Sequence, residues 1–171
     1  MTQAFCGQSS RLPSSVGFRP ANDGDQPFLC ELYAGTRADE MIVVDWPEAQ
    51  KTTFLTMQFD AQHRYYQEQF PAASYLVVEQ DGQSIGRIYL DRRSDELRLI
   101  DIALIPATRN QGLGKALLLD LLDEAQKAAL PVRIHVESFN PAMRLYLRLG
   151  FKVIEDQDVY QLMEWSPGDV P

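Results

Sequence analysis

Leu97 to Ala129, LRLIDIALIPATRNQGLGKALLLDLLDEAQKAA, reads as an apolar strand, a short turn carrying Arg109-Asn110-Gln111-Gly112-Leu113-Gly114, and a long amphipathic helix. Two glycines with one residue between them, directly at a helix start, let backbone approach a bulky anion with no Cβ in the way. The first amides of such a helix have no internal partner and carry the positive end of its dipole. Arg109 and Lys115 add full charges on either side. The turn therefore reads as a phosphate cradle. Taken alone, Gly112 and Gly114 fit equally well a tight strand-to-helix connection that binds nothing.

Upstream, Ser74–Glu79 and Ser84–Leu90 form a hairpin through Gln80-Asp81-Gly82-Gln83, and a second turn near Arg92–Asp95 leads into Glu96–Ile105. The strand of the opening stretch thus closes a three-strand antiparallel meander. Before it, Val16–Arg19 is a short strand stopped by Pro20, and Asp25 is placed to cap a helix with Phe28, Leu29, Leu32 and Tyr33 on one face. Asp39-Glu40 and Asp45-Trp46-Pro47 break that pattern. Pro47 begins a second helix running to about Phe70, with Phe54, Leu55, Gln58, Phe59, Gln62 and Tyr66 on one stripe.

Downstream, the helix from Gln111 to about Ala129 puts Leu117, Leu118, Leu121, Leu122 and Ala125 on one side and ends before Pro131. Val132–Val136 is a strand, and strand-helix-strand order implies parallel pairing with the one before it. Asn140-Pro141 opens a helix ending at Gly150, after which Phe151–Ile154 and Val159–Trp165 form a last hairpin through Asp156-Gln157. No repeat or linker divides the chain. Residues 1–15 read as a flexible tail, 16–165 as one domain and 166–171 as a C-terminal tail.

The 171 residues, 45% of them hydrophobic, suit one well-packed domain. A formal charge of −8, from 24 acidic and 16 basic residues, argues against a nucleic-acid binder and suits a cationic or amine substrate. Cys6 and Cys30 suggest neither a disulfide framework nor a metal site. No basic-then-apolar leader is present and no stretch approaches the ~18 apolar residues that span a bilayer. A cytoplasmic protein without membrane contact is the expectation.

At this point the residues carry a family resemblance. Leu104–Leu118, with Arg109-x-x-Gly112-x-Gly114 at its centre, resembles the acyl-coenzyme A motif of the GNAT (GCN5-related) N-acetyltransferases, and Asn140–Phe151 matches that family's Asn, Ala, Tyr, Gly-Phe spacing. Two ordered blocks are far more specific than either alone. A dinucleotide site is disfavoured because the third glycine of GxGxxG is missing, and a P-loop because no Gly-Lys-Ser/Thr follows. The resemblance covers about Val16–Trp165. It implies an α+β, mixed α/β fold: a mostly antiparallel mixed sheet of about seven strands, splayed between strands 4 and 5 and flanked by about four helices.

It also implies roles. The pantetheine arm of acetyl-coenzyme A would lie in the splay along Ile102, Ala103 and Leu104, and the amide near Leu104 would polarise the thioester carbonyl. Arg109, Asn110, Gln111, Gly112, Leu113, Gly114 and Lys115 would hold the pyrophosphate. Tyr146 matches the tyrosine that protonates the departing thiolate, with a core tyrosine as its bland alternative. Asn140 matches an asparagine that contacts the pantetheine arm, and it also suits a helix cap.

The family does not fix the general base. An ammonium must lose a proton before its nitrogen attacks, and Asp101, inside an apolar strand, and Glu137, at the end of the next one, are the carboxylates best placed. Asp101 could instead pair with Arg87 or Arg98 and lock the sheet. His135 is a minor candidate, and His63 a helix-face residue. Arg37, Asp39, Glu40, Trp46 and Tyr160 are the candidates for the acceptor side. The chain thus reads as an acetyl-coenzyme A-dependent N-acetyltransferase acting on a primary amine by direct attack, without a metal, with dimerisation through the final strands plausible from the fold. A noncatalytic acyl-coenzyme A-binding module and an acidic-surface interaction protein on the same scaffold are the alternatives.

Overall fold

The computed structural model describes Phe5 and residues 11–168. Among them, β1 (Val16–Pro20), β2 (Ser74–Gln80), β3 (Gln83–Arg92), β4 (Leu97–Leu104), β5 (Val132–Glu137), β6 (Lys152–Gln157) and β7 (Tyr160–Trp165) form one sheet in the order β1-β2-β3-β4-β5-β7-β6. Every neighbouring pair is antiparallel except β4 with β5. The helices are α1 (Gln26–Thr36), α2 (Ala38–Ile42), α3 (Glu48–Gln69), α4 (Leu113–Ala128) and α5 (Met143–Arg148).

Alternation along β3 sorts the two faces. Ile88 and Leu90 turn to the main core with Leu117, Leu121 and Ala125 of α4, and with Tyr146, Leu149 and Phe151 around α5. Arg87 and Tyr89 turn to the other face, where Gln62 and Tyr66 of α3 meet them. A smaller core of Leu29, Tyr33 and Phe59 joins α1 to α3 on that side. Burying each large aliphatic of the α4 stripe contributes about 1.5–3 kcal/mol, which makes this helix the main cover of its face.

Several local expectations are corrected. Asp39 and Glu40 do not break the chain but open the short helix α2, giving five helices among the described residues where about four were expected. Asp25 does not cap α1 with its side chain. Its carboxylate accepts from the Asn22 amide at 2.8 Å and from Arg19 at 2.7 and 2.8 Å, while Asn22 caps the intervening 3-10 turn. The last hairpin turns at Asp158, with φ 65°, rather than at Asp156-Gln157. Of the stretch read as a flexible lead, Phe5 is buried and stacked on Phe18, and Arg11 reaches Asp120 and Asp123 of α4. Cys6 and the C-terminal residues 169–171 lie outside the described residues.

Candidate functional site

The parallel pairing of β4 with β5 holds only at their first residues, Leu97 with Val132 and Arg98 with Arg133. Beyond that point β5 follows β7 along its whole length and β4 follows β3. The departure coincides with a bulge. Tyr89 pairs with Asp101 and Leu90 with Leu99, so Ile100 is an extra residue in β4. A bulged strand bends and twists more strongly, which carries β4 away from β5 and opens the expected splay.

The bulge also reverses a face. Leu97 and Leu99 point into the main core, and simple alternation would send Asp101 there too. With Ile100 inserted, Asp101 instead stands opposite Tyr89 on the α3 face.

The edge of β4 toward the gap follows from hydrogen-bond alternation. The Ile105 amide donates to Ile85 O at 2.8 Å, so Leu104 and Ile102, each one step out of phase, turn their N–H and C=O groups into the splay. Ala103, expected beside them, turns its backbone to β3. A Cβ on Gly86 would stand 2.4 Å from Ala103 O, so only glycine lets β3 lie this close to the end of β4. Arg109 does not stand free beside the turn: its Nε donates to Leu104 O at 2.8 Å.

At the turn itself Asn110 has φ 58° and Gly112 φ 82°, and no side chain caps α4. The amides of Leu113, Gly114 and Lys115 precede the first intrahelical donor, Ala116 N–H, which bonds Gly112 O. A Cβ on Gly112 would meet no protein atom within 4 Å. Glycine is needed there for the left-handed backbone, and the space beside it is open to an anion. Gly112→Asp places strain of about 1–2 kcal/mol and a carboxylate in that space. The dissociation constant for coenzyme A should rise about thirtyfold in calorimetry; an unchanged value would remove the cradle from the site.

Tyr146 of α5 is 2% exposed and packs edge-on against Phe151, with ring centroids 5.5 Å apart. Its hydroxyl bonds no described residue. Burial first, and then the charge of Asp101, push its pKa above the usual tyrosine range. Asn140 Oδ1 accepts from the Ala142 amide at 2.8 Å in the turn ahead of α5, whose N-cap is Ala142 with no side-chain cap, so the expected helix cap is replaced by a turn contact.

The two carboxylates differ in how fully they are engaged. Asp101 accepts with Oδ2 from Arg87 Nη2 at 2.7 Å and from the Tyr66 hydroxyl at 3.2 Å, while Oδ1 has no protein partner among the described residues. Glu137 is held through both oxygens by Arg37, at 2.5 and 2.9 Å. Arg37 also reaches Glu40 at 2.8 Å, so the α1–α2 junction is strapped across the mouth of the gap onto β5. Tyr160, opposite Glu137 in the β5–β7 register, has its pKa raised by burial and by the charge of Glu137.

The remaining candidates scatter. Asp39 is exposed, and Trp46 is 39% exposed with its ring edge-on to Phe54. His135 sits at the closed end, its Nδ1 3.0 Å from Arg98 Nη1, and burial together with that arginine lowers its pKa. His63 pairs with Gln26 at 3.1 Å on the α3 side. Sequence reading placed Tyr66 and Gln62 only on a packing stripe; their i, i+4 spacing was the available signal that both face one partner.

Comparison with known proteins agrees with this geometry. The model of the acetyltransferase (GNAT) family matches residues 39–151. The chain is 36% identical over 97 residues to mycothiol acetyltransferase of Acidimicrobium ferrooxidans, covering 53% of this chain and 31% of that protein. It is 32% identical over 87 residues to the putative [ribosomal protein bS18]-alanine N-acetyltransferase of Bacillus subtilis, covering 48% and 56%. The chain thus spans from about a third to about half of the length of these relatives. The crystal structure of PaiA N-acetyltransferase from Thermoplasma acidophilum in complex with coenzyme A superposes with a TM-score of 0.67 at 20% identity, covering 89% of this chain and 99% of that one. The ribosomal-protein-S18-alanine N-acetyltransferase of Escherichia coli gives 0.60 at 20% identity, covering 88% and 93%. At such identities the likeness shows the fold.

Proposed function

Since the chain belongs to the GNAT acetyltransferase family, we propose that it transfers an acetyl group from acetyl-coenzyme A to a primary amine by direct attack. The observation that carries this reading is the gap itself, with the α4 amides at one end, and with the Tyr146 hydroxyl and Asp101 Oδ1 each without a partner among the described residues.

The α4 amides would hold the diphosphate, and Ile102 and Leu104 would pair with the pantetheine arm as an added strand. The Leu104 N–H would polarise the thioester carbonyl. Asp101 Oδ1, through one water, takes a proton from the ammonium, and the nitrogen lone pair then forms the bond to the carbonyl carbon. As the carbon–sulfur bond breaks, Tyr146 gives its proton to the sulfur. The second proton lost by the nitrogen restores the tyrosine, so one proton is released per turnover. Asp101 suits the base role better than Glu137, both of whose oxygens are occupied by Arg37. Glu40, held by Arg37 through one oxygen only, fits better as a carboxylate for a cationic acceptor at the mouth.

The test is release of free coenzyme A across a panel of amines that includes an alanine-headed peptide and small aminothiols. Turnover with at least one of them is the expected result. Silence across the panel, with tight coenzyme A binding, would instead support a binding module. The dimer considered from the fold would use β6, an edge strand with exposed Val153 and Ile154, and sedimentation of the free protein reads it directly.

A further inference from the structure

Arg87 lies in the middle of β3 with its side chain 3% exposed, a costly place for a guanidinium. Its Nη2 donates both to Asp101 Oδ2 at 2.7 Å and to Gln62 Oε1 at 3.0 Å, and its carbon Cζ sits 5.0 Å from the centre of the Tyr89 ring. The arrangement is not one that stability alone would select. Arg87 Nε and the Tyr89 hydroxyl are both sealed from solvent without partners, and a packed apolar pair of similar volume would be at least as stable.

We infer that Arg87 is a positioning residue: together with Tyr66 it pins Oδ2 of Asp101 so that Oδ1 faces the gap without a partner among the described residues. The inference rests on the reading of Asp101 as the proton acceptor. Tyr66 and Gln62, one helical turn apart on α3, close the fork from the other side, Tyr66 on the carboxylate and Gln62 on the guanidinium.

The charges around Asp101 come from few elements. They are Arg87 and Tyr89 on β3, Tyr66 on α3 with His63 near Arg87, Tyr146 on α5, and Tyr160 on β7 near Tyr66. The four phenols are all held neutral by burial. Arg87 is thus the one full positive charge bonded to the carboxylate.

The experiment measures the pH profile of kcat/KM with acetyl-coenzyme A and the fastest amine of the panel above. In Arg87→Gln the ascending limb should move up by about one pH unit, a tenfold loss on its acid side, with the rate recovering toward wild type at alkaline pH. Arg87→Lys, which keeps the charge and loses the fork, should fall between the two. Tyr66→Phe should move the limb the same way by less, and the KM for acetyl-coenzyme A should hold throughout. Tyr66→Phe removes only a hydroxyl, so it carries the test if Arg87→Gln does not fold. A rate lowered equally at every pH, with the limb unmoved in Tyr66→Phe and Arg87→Lys, would overturn the inference. Asp101→Asn separates the layers. If it keeps the wild-type profile, the base assignment falls and this inference with it; if it removes the limb while the other variants leave the limb in place, the positioning role alone falls.

Discussion

Tyr146→Phe should lower kcat about a hundredfold while leaving the KM for acetyl-coenzyme A within about twofold. The phenol is buried against Phe151, so the missing oxygen leaves the ring packing in place, and its hydroxyl holds no partner among the described residues whose loss would disturb the fold. What disappears is the proton for the departing sulfur. Because burial and Asp101 raise the pKa of this tyrosine, the acid form persists beyond the ordinary range near 10. The wild-type rate should therefore show no loss from this group up to about pH 10. The same sign governs stability. For buried phenols whose folded-state affinity for the proton is raised, here Tyr66, Tyr89 and Tyr146, the contribution is complete below pH 10 and is lost as pH rises through their folded values. An unchanged kcat in Tyr146→Phe would remove its role as the acid.

The second large effect lies at the closed end of the gap. Glu96, 3% exposed, accepts from Arg93 at 3.0 Å, from Arg98 at 2.9 and 3.0 Å and from Arg133 at 3.0 Å. Arg98 belongs to β4 and Arg133 to β5, and these two residues form one of the two parallel pairs that still join the strands. One carboxylate therefore clamps β4 to β5 at their paired ends. Glu96→Ala leaves three arginines without it, Arg98 among them at 14% exposed, and should cost about 3 kcal/mol in urea unfolding. Arg93 and Arg133, each more than a third exposed or nearly so, keep water and limit the loss. Coenzyme A affinity should fall as well, because the width of the gap is set from this end. A variant that unfolds like wild type and binds coenzyme A as tightly would show the clamp to be idle.

Much of the fold is legible along the chain because it rests on local rules. The meander reads from β-branched runs and from Asp81-Gly82, where φ is positive at both residues. Helix α4 reads from its four-residue apolar step, and its start from Gly112. Helix α2 is missed because five residues with two acidic side chains and no buried one leave no periodic stripe. Asp25 is misread as a cap because Arg19, six residues back across a turn, competes for the carboxylate. Phe5 and Arg11 are read as tail because their partners, Phe18 and the acidic face of α4, are supplied only by the folded molecule.

The candidate site divides along the same line. By itself the sequence determines the glycine turn at the start of α4 and the spacing within Asn140–Phe151, because left-handed glycine, helix start and residue spacing are properties of contiguous chain. Tertiary structure alone decides the meaning of Asp101. Strand alternation would send it into the main core with Leu97 and Leu99, and the extra residue Ile100 turns it to the opposite face. There it meets Arg87 from β3 and Tyr66 from α3, 14 and 35 residues away in sequence. A bulge is a compromise between the twists of two paired strands, so it is written in neither strand alone.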